Sequence, residues 1–271
     1  MKTASACNAY VKKRMKNIYD ITGTGPHIYN TAYFHRLRVE LKKLNASLRL
    51  VKFCDKKFPK KKIFRPFKML NKVAGNIREI QLEEIEIKKL VPSPFTKKYL
   101  PELKLLRENL KQQFLALKRG EIFEDLRRNK QKYYAWSENL TRKKLFAYFL
   151  MLKEKITLQL STETLKPKTI HELRMLLKEF YYNIEMIQAN KENSFSKINT
   201  LQDLIGKWHD NNIIIRHLTK IKLLRKDKQS DVKQLDRIIA IFRGNTLQLL
   251  NKVNKEKNAV LIELNLYTFH Y

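Results

Sequence analysis

A short pattern of cationic residues occurs twice in this sequence, in the form His-x-Leu-Arg-apolar-x-Leu-Lys. The first copy covers residues 35–42 and the second covers residues 171–178. Together these residue types can bind oxyanions, because arginine offers a planar fork of donors, lysine a mobile charge, and histidine a donor whose charge rises beside an anion. The recurrence therefore predicts two matched anion-binding surfaces within one chain.

A glycine-containing segment follows each copy at a similar distance. The first segment is centred on Gly75 and the second on Gly206. Two motifs in the same order at nearly equal spacing indicate an internal duplication within a single domain, with repeat one at about 1–138 and repeat two at about 139–271. Glycine inside a helix costs about 1 kcal/mol relative to alanine, so we expect both glycines to let neighbouring helices approach closely.

If both copies are helical, the cations of each copy share one face. At about 100° per residue, those of the first copy lie within an arc of about 60°, beside an apolar stripe that runs from Leu37 to Val51. The second copy repeats both arcs, with its apolar stripe running from Leu173 to Ile187. A solvated basic face is the alternative interpretation, but such a face does not require the same residue types at the same offsets.

The candidate anion-binding residues come from these two copies and from the segments around the glycines. They are His35, Arg38, Lys42, Lys43, Arg49, Arg78, His171, Arg174, Lys178 and His209. Two alternatives stay open for Arg78 and His209. Each could supply a cation to the site, or each could form a buried polar lock with its neighbour, Glu79 or Asp210.

A metal-dependent phosphohydrolase is a competing interpretation of the second half. Its ligands would be His171, His209, Asp210 and Asp231 or Asp236. The repeat argues against it, because the first half holds Arg78 and Glu79 where the second holds His209 and Asp210. A metal site also needs more carboxylates than this cationic face offers. We therefore expect no metal, no cofactor and no catalytic residue.

The composition favours a basic, helical, globular protein. The chain has 57 Lys+Arg against 26 Asp+Glu, a net charge of +31, and self-repulsion on this scale favours a polyanionic partner. Hydrophobic residues at 43% are sufficient for a core, and only six glycines and seven prolines interrupt helices. No apolar run suits a signal peptide or a membrane span, so we expect a soluble cytoplasmic protein.

Turn-forming residues divide the chain into eight predicted helices, four in each repeat. They cover about 4–20, 28–54, 63–90, 97–138 with a bend at Gly120, 141–160, 168–190, 196–225 and 230–265. Ser230 or Asp231 is the predicted N-cap of the last helix. Each repeat could bury its apolar stripes as a four-helix bundle.

These motifs resemble those of the conserved-histidine α-helical domain (CHAD) family over essentially the whole chain. The resemblance rests on four ordered segments, His35–Lys43, Gly75–Glu79, His171–Tyr182 and Leu201–Asp210. It implies an all-α fold of two four-helix units related by pseudo-twofold symmetry, with a basic cavity or groove between them. It also implies non-enzymatic binding of inorganic polyphosphate, association with polyphosphate granules, and partner proteins that metabolise polyphosphate.

Two other functions compete with polyphosphate binding. Nucleic-acid binding through backbone phosphates is the stronger rival for a basic helical protein, although no helix-turn-helix or other named signature occurs. A scaffold on anionic membranes is the third class. Polyphosphate has neither bases nor sugars, so only charge and phosphate geometry can identify it. A cavity lined on two sides would contact more phosphates than a single basic patch.

Overall fold

Eight α-helices form the regular structure of the residues that this computed structural model describes, which are 2–23, 29–119, 140–187, 195–225 and 228–267. They are α1 (Lys2–Gly23), α2 (Thr31–Cys54), α3 (Lys60–Lys88), α4 (Pro94–Arg119), α5 (Arg142–Leu160), α6 (Pro167–Ile187), α7 (Ser196–Leu224) and α8 (Gln229–Leu266). The described residues contain no strand, which confirms the all-α prediction. The predicted bend at Gly120 and the predicted helix beyond it lie outside the described residues.

Local sequence signals account for the starts of several helices. The Asn30 side chain caps α2 by accepting a hydrogen bond of 2.9 Å from the Tyr33 backbone N–H. Pro94 and Pro167 open α4 and α6, at a position where the backbone N–H would have no partner within the helix. The cap of α2 matters most for function, because it fixes where the first cationic copy begins on its helix.

The predicted cap of α8 is wrong. The helix begins at Gln229, so Ser230 and Asp231 both lie inside its first turn. The Asp231 carboxylate accepts a hydrogen bond of 3.1 Å from the Arg225 guanidinium instead of capping the helix. An acidic side chain is also favourable in a first helical turn, where it complements the helix dipole.

The predicted apolar stripes form the core. The fully buried stripe residues of α2 are Leu37, Leu41, Leu44, Leu48 and Val51, and the buried ones of α6 are Leu173, Leu177, Phe180 and Ile184. Burying a side chain of this size contributes about 1.5–3 kcal/mol. The core therefore fixes the rotation of both helices, and with it the direction of the cationic residues beside each stripe.

Buried apolar residues of the described ranges form two clusters, and each cluster combines both predicted repeats. The larger cluster draws on all eight helices. The smaller one joins the C-terminal parts of α3 and α7 to the N-terminal parts of α4 and α8, with Ile87, Phe95, Leu218 and Phe242 among its members. The predicted repeat limits and the pseudo-twofold symmetry stay predictions.

Corresponding helices of the two repeats pack against each other. Helix α2 contacts α6, α3 contacts α7, and α4 contacts α8. This packing brings the helix of the first cationic copy directly against the helix of the second. Among the described helices, none combines the length and apolar character that a bilayer crossing requires.

Candidate anion-binding site

The two cationic copies face each other where α2 packs against α6. Arg38 and Lys42 extend from α2. The charge of Arg174 on α6 acts on both of them, and the charge of Lys178 on α6 acts on Lys42. All four side chains are half-buried. A small pocket of about 60 Å³ opens beside Lys42 and is also lined by both α6 cations. The repeated motif therefore converges on one place.

Helices α3 and α7 complete this site. Arg78 projects from α3 and influences both Arg38 and His35. Asp210 of α7 is an acidic group whose carboxylate acts on Arg78 and on the four cations of α2 and α6. We call five of these residues the cationic cluster: Arg38, Lys42, Arg78, Arg174 and Lys178.

The cationic cluster contains hydrogen-bond donors that have no acceptor among the described residues. Within the described residues, none of its five members forms an ion pair of 4 Å or less with a carboxylate. Buried guanidinium nitrogens of two members, Arg78 Nη1 and Arg174 Nε, also lack a hydrogen-bond partner in that part of the chain. Leaving a buried donor unpaired costs about 1–3 kcal/mol. These groups can donate to the oxygens of an anion, which would remove that cost.

Burial and mutual repulsion alter the charge of the two lysines. Burial, reinforced by the charges of Lys178 and Arg38, lowers the pKa of Lys42 from 10.5 to about 6. Burial and the charge of Arg174 lower the pKa of Lys178 from 10.5 to about 8. At neutral pH Lys42 is therefore largely neutral in the free protein. A bound anion would restore its proton, because an opposite charge favours the ionised form.

The histidines border the cationic cluster. His35 is exposed at the start of α2, and burial and the charge of Arg78 lower its pKa below the usual 6.5. Burial and the charge of Arg174 lower the pKa of His209 to about 3. The ring of His209 lies 5.7 Å from that of His171, which is exposed. In the free protein, His35 and His209 are thus neutral at pH 7 and can donate one N–H each.

Two predicted residues form ion pairs instead of joining the cationic cluster. The Lys43 ammonium lies 2.7 Å from the Glu185 carboxylate, and the Arg49 guanidinium lies 2.5 Å from Glu179. Both pairs link α2 to α6, so these cations position the two helices. Glu179 also accepts a hydrogen bond of 2.5 Å from Tyr148. Sequence reasoning missed these carboxylates, because one sequence gives no signal for pairing across helices.

Comparison with known proteins identifies the family. The CHAD domain pattern matches residues 28–219. The protein belongs to the CHAD family. The CHAD domain of the plant Ricinus communis has the same fold at 13% identity and a TM-score of 0.73, covering 98% of this chain and 92% of that one. PptA from Streptomyces chartreusis gives a TM-score of 0.73 at 10% identity, with coverages of 95% and 99%. No curated protein matches the sequence.

Gly75 of this CHAD domain has a defined structural role. A Cβ atom at this position would overlap a terminal nitrogen of the Arg38 guanidinium, whose Cζ lies 3.4 Å from that Cβ. The glycine therefore makes room for a side chain of the cationic cluster, where we had expected an approaching helix. The expectation for Gly206 is wrong, since no atom of another helix within the described residues lies within 4 Å of a Cβ placed there.

We expect Gly75→Ala to separate stability from binding. The new methyl group must displace the end of Arg38, a flexible side chain, while alanine favours the helix by about 1 kcal/mol. The melting temperature should stay constant or rise, and affinity for a polyanion should fall about fivefold through one weakened charge-assisted contact. Gly244→Ala is the matched control, because Gly244 also lies inside a helix and has free space around it. Equal affinities of the two variants would contradict this role of Gly75.

Of the residues considered for a metal site, His171 and His209 lie near each other, with ring centroids 5.7 Å apart. No set of three His, Cys, Asp or Glu side chains in the described ranges could hold a metal ion. Asp231 pairs with Arg225 at 3.1 Å, and Asp236 pairs with Lys222 at 2.6 Å. Both carboxylates are therefore engaged in ion pairs with cations at the α7–α8 turn, where they help to hold these two helices together.

Proposed function

We propose that this CHAD domain binds inorganic polyphosphate without catalysing a reaction on it. The observation that carries the proposal is the cationic cluster: five half-buried basic side chains from three helices that form no close ion pair within the described residues. A polyanion supplies what these groups need, since its oxygens accept charge-assisted hydrogen bonds and its charge offsets their mutual repulsion.

The aromatic residues near the site favour polyphosphate over nucleic acid as the ligand. Single-stranded nucleic acids are held by exposed aromatic rings on which bases stack. Near the cationic cluster, Tyr181 and Tyr182 are half-buried, and the exposed tyrosine and phenylalanine rings among the described residues are those of Tyr19 and Phe146 on other helices. A chain of bare phosphates needs no stacking surface, and it can bring several charges close to one small cluster.

Non-catalytic binding follows from the residue types of the cationic cluster. All five members are hydrogen-bond donors when protonated, and a bound anion favours the protonated form of Lys42. Hydrolysis would instead require a base that stays unprotonated beside an attacking water molecule. Asp210 is an acidic group near all five cations, and their charges favour its role as a counterion. A polyphosphate-binding protein of this kind is expected at cytoplasmic polyphosphate granules, together with proteins that metabolise polyphosphate.

A competition experiment tests the proposal. Filter binding at low salt would measure how well long-chain polyphosphate displaces a labelled single-stranded RNA, and how well the RNA displaces labelled polyphosphate. At equal phosphate concentration, we expect polyphosphate to displace RNA far better than the reverse, with an affinity that falls steeply as salt rises. Equal displacement per phosphate would mean that the protein binds polyanions only through its net charge, and would contradict the proposal.

A further inference from the structure

Arg49 lines the same pocket as members of the cationic cluster, although it forms an ion pair. The pocket of about 60 Å³ between α2 and α6 is bordered by Arg49 and its partner Glu179. Three members of the cationic cluster border it as well, namely Lys42, Arg174 and Lys178. A pocket of this size can hold a small group such as one phosphate unit of a chain. Such a unit would contact Arg49 and the cationic cluster at the same time.

The ion pair of Arg49 engages only part of its guanidinium group. In the described part of the chain, Nη1 donates a hydrogen bond of 2.5 Å to one carboxylate oxygen of Glu179. An arginine carries five N–H donors in a planar fork, so the others remain for a second acceptor. The Arg49 side chain is 38% exposed and that of Glu179 is 12% exposed. The guanidinium group is therefore accessible to a ligand, whereas the carboxylate that orients it is largely enclosed.

Buried hydrogen bonds fix the position of this carboxylate. The second oxygen of Glu179 accepts a hydrogen bond of 2.5 Å from the hydroxyl group of Tyr148 on α5. The Tyr148 oxygen accepts a bond of 3.3 Å from Asn183 Nδ2, which also donates to the Glu179 backbone carbonyl at 2.8 Å. Tyr148 and Asn183 are both buried. Because buried polar groups that satisfy one another are rigid, this network holds Glu179, and through it Arg49, in one orientation.

We propose that Arg49 is a further phosphate-binding residue, and that Glu179, Tyr148 and Asn183 position its guanidinium group for that contact. This inference rests on the proposed function and assigns to the same site three residues that act through Arg49. Arg49 keeps its hydrogen bond to Glu179 and donates its remaining N–H groups to a phosphate in the shared pocket. A side chain that is held in place before binding loses less conformational entropy when the ligand arrives, which strengthens binding.

A comparison of Arg49→Gln with Lys43→Gln tests the contact of Arg49 with the ligand. Lys43 and Glu185 also link α2 to α6, at 2.7 Å, but neither residue lines the shared pocket that the described residues form. Both variants remove one positive charge and one ion pair between the same two helices. Affinity for long-chain polyphosphate should fall about tenfold in Arg49→Gln, through the loss of one charge-assisted contact.

Lys43→Gln should lose no more than about threefold, through the long-range field of the protein. Equal losses in the two variants would overturn the inference.

A double-mutant cycle tests the positioning of Arg49. Tyr148→Phe removes one hydroxyl group and leaves the net charge unchanged. In the wild-type background it should lower affinity about fivefold, because the orientation of Arg49 is no longer fixed. In the Arg49→Gln background the same change should leave affinity unaltered, since the residue that the hydroxyl group positions is absent. A purely structural role of the hydroxyl group would lower affinity equally in both backgrounds, and that outcome would overturn the inference.

Arg49→Lys provides a test that applies even if Tyr148→Phe does not fold. This variant keeps the positive charge, but an ammonium group lacks the planar fork that serves a carboxylate and a phosphate in fixed directions. Affinity should fall about fivefold while the melting temperature of the free protein stays constant. An affinity equal to that of the wild type would overturn the inference. Failure of the wild-type protein to prefer polyphosphate over RNA would instead contradict the proposed function, so the two failures are distinguishable.

Discussion

The double variant Arg38→Glu with Arg174→Glu is expected to lower polyphosphate affinity about 100-fold or more. Both guanidinium groups are half-buried, the charge of Arg174 acts on Arg38 across the α2–α6 contact, and neither has a close carboxylate partner in the described part of the chain. Removing one partner of a desolvated charge contact costs about 2–5 kcal/mol, and tenfold in affinity corresponds to about 1.4 kcal/mol. Isothermal titration with polyphosphate of defined length would measure the loss.

The control is a second double variant that changes the net charge of the protein by the same amount as Arg38→Glu with Arg174→Glu. Lys57 is exposed in the turn between α2 and α3, and Lys61 is exposed in the first turn of α3. Lys57→Glu with Lys61→Glu therefore changes the total charge equally without touching the cationic cluster. We expect the control to lose only a few-fold in affinity, through the long-range field of the protein. Comparable losses from both double variants would show that the repeated arginines have no special role.

The melting temperature of the free double variant distinguishes a loss of binding from a loss of folding. A glutamate at either position would lie near Lys42 and Lys178, whose charged forms burial and neighbouring cations now disfavour. The new carboxylates would relieve the repulsion from those cations, so the melting temperature without ligand should stay constant or rise. Weak binding together with a higher melting temperature would therefore point directly to the charges of the site.

The sequence alone predicted the helices and the faces that they bury. Leu37 and Leu173 occupy equivalent places in the two repeated motifs, and both are fully buried, because helical periodicity directly reports which face avoids water. The same periodicity placed Arg38 and Arg174 beside those stripes. Since α2 and α6 pack together, two predicted faces became one site.

Features that depend on contacts between helices were beyond prediction from one sequence. Periodicity placed Arg49 on the same arc as Arg38, yet Arg49 pairs with Glu179 of another helix. Nothing in the spacing along α2 reports which carboxylate of α6 lies opposite. The same reason explains why Gly75 was assigned to helix packing, when the atom that needs its space belongs to a side chain of α2.

Lowering the pH from about 8.5 to about 6.5 is expected to strengthen polyphosphate binding by about 10- to 100-fold. In the free protein Lys42, with a pKa of about 6, is largely neutral across this range, whereas Lys178, with a pKa of about 8, changes from largely neutral to largely charged within it. Bound phosphates favour the charged form of each, so binding takes up protons. Each proton taken up makes the affinity fall by up to about tenfold per pH unit as the pH rises.

Lys42→Gln supplies the control for this pH dependence. Without an ionisable group at this position, affinity should change much less between the two pH values and should equal the wild-type affinity most closely at the higher one. The titration of His35 and His209 adds little, because burial lowers the pKa of each below 6.5. A wild-type affinity that does not depend on pH would show that Lys42 takes up no proton when the ligand binds, which would contradict this prediction.

Stability of the free protein should change in the opposite direction. The pKa of Lys42 is 10.5 in the unfolded chain and about 6 in the folded protein, so between these values the unfolded chain binds a proton that the folded protein does not. The free energy of unfolding therefore rises with pH across this window and is lowest below its acid end. Polyphosphate should raise the free energy of unfolding most at low pH, where that of the free protein is lowest, because the ligand binds the protonated lysines. The increase in melting temperature that polyphosphate causes should consequently shrink as the pH rises from about 6.5 to about 8.5, while the melting temperature of the free protein increases.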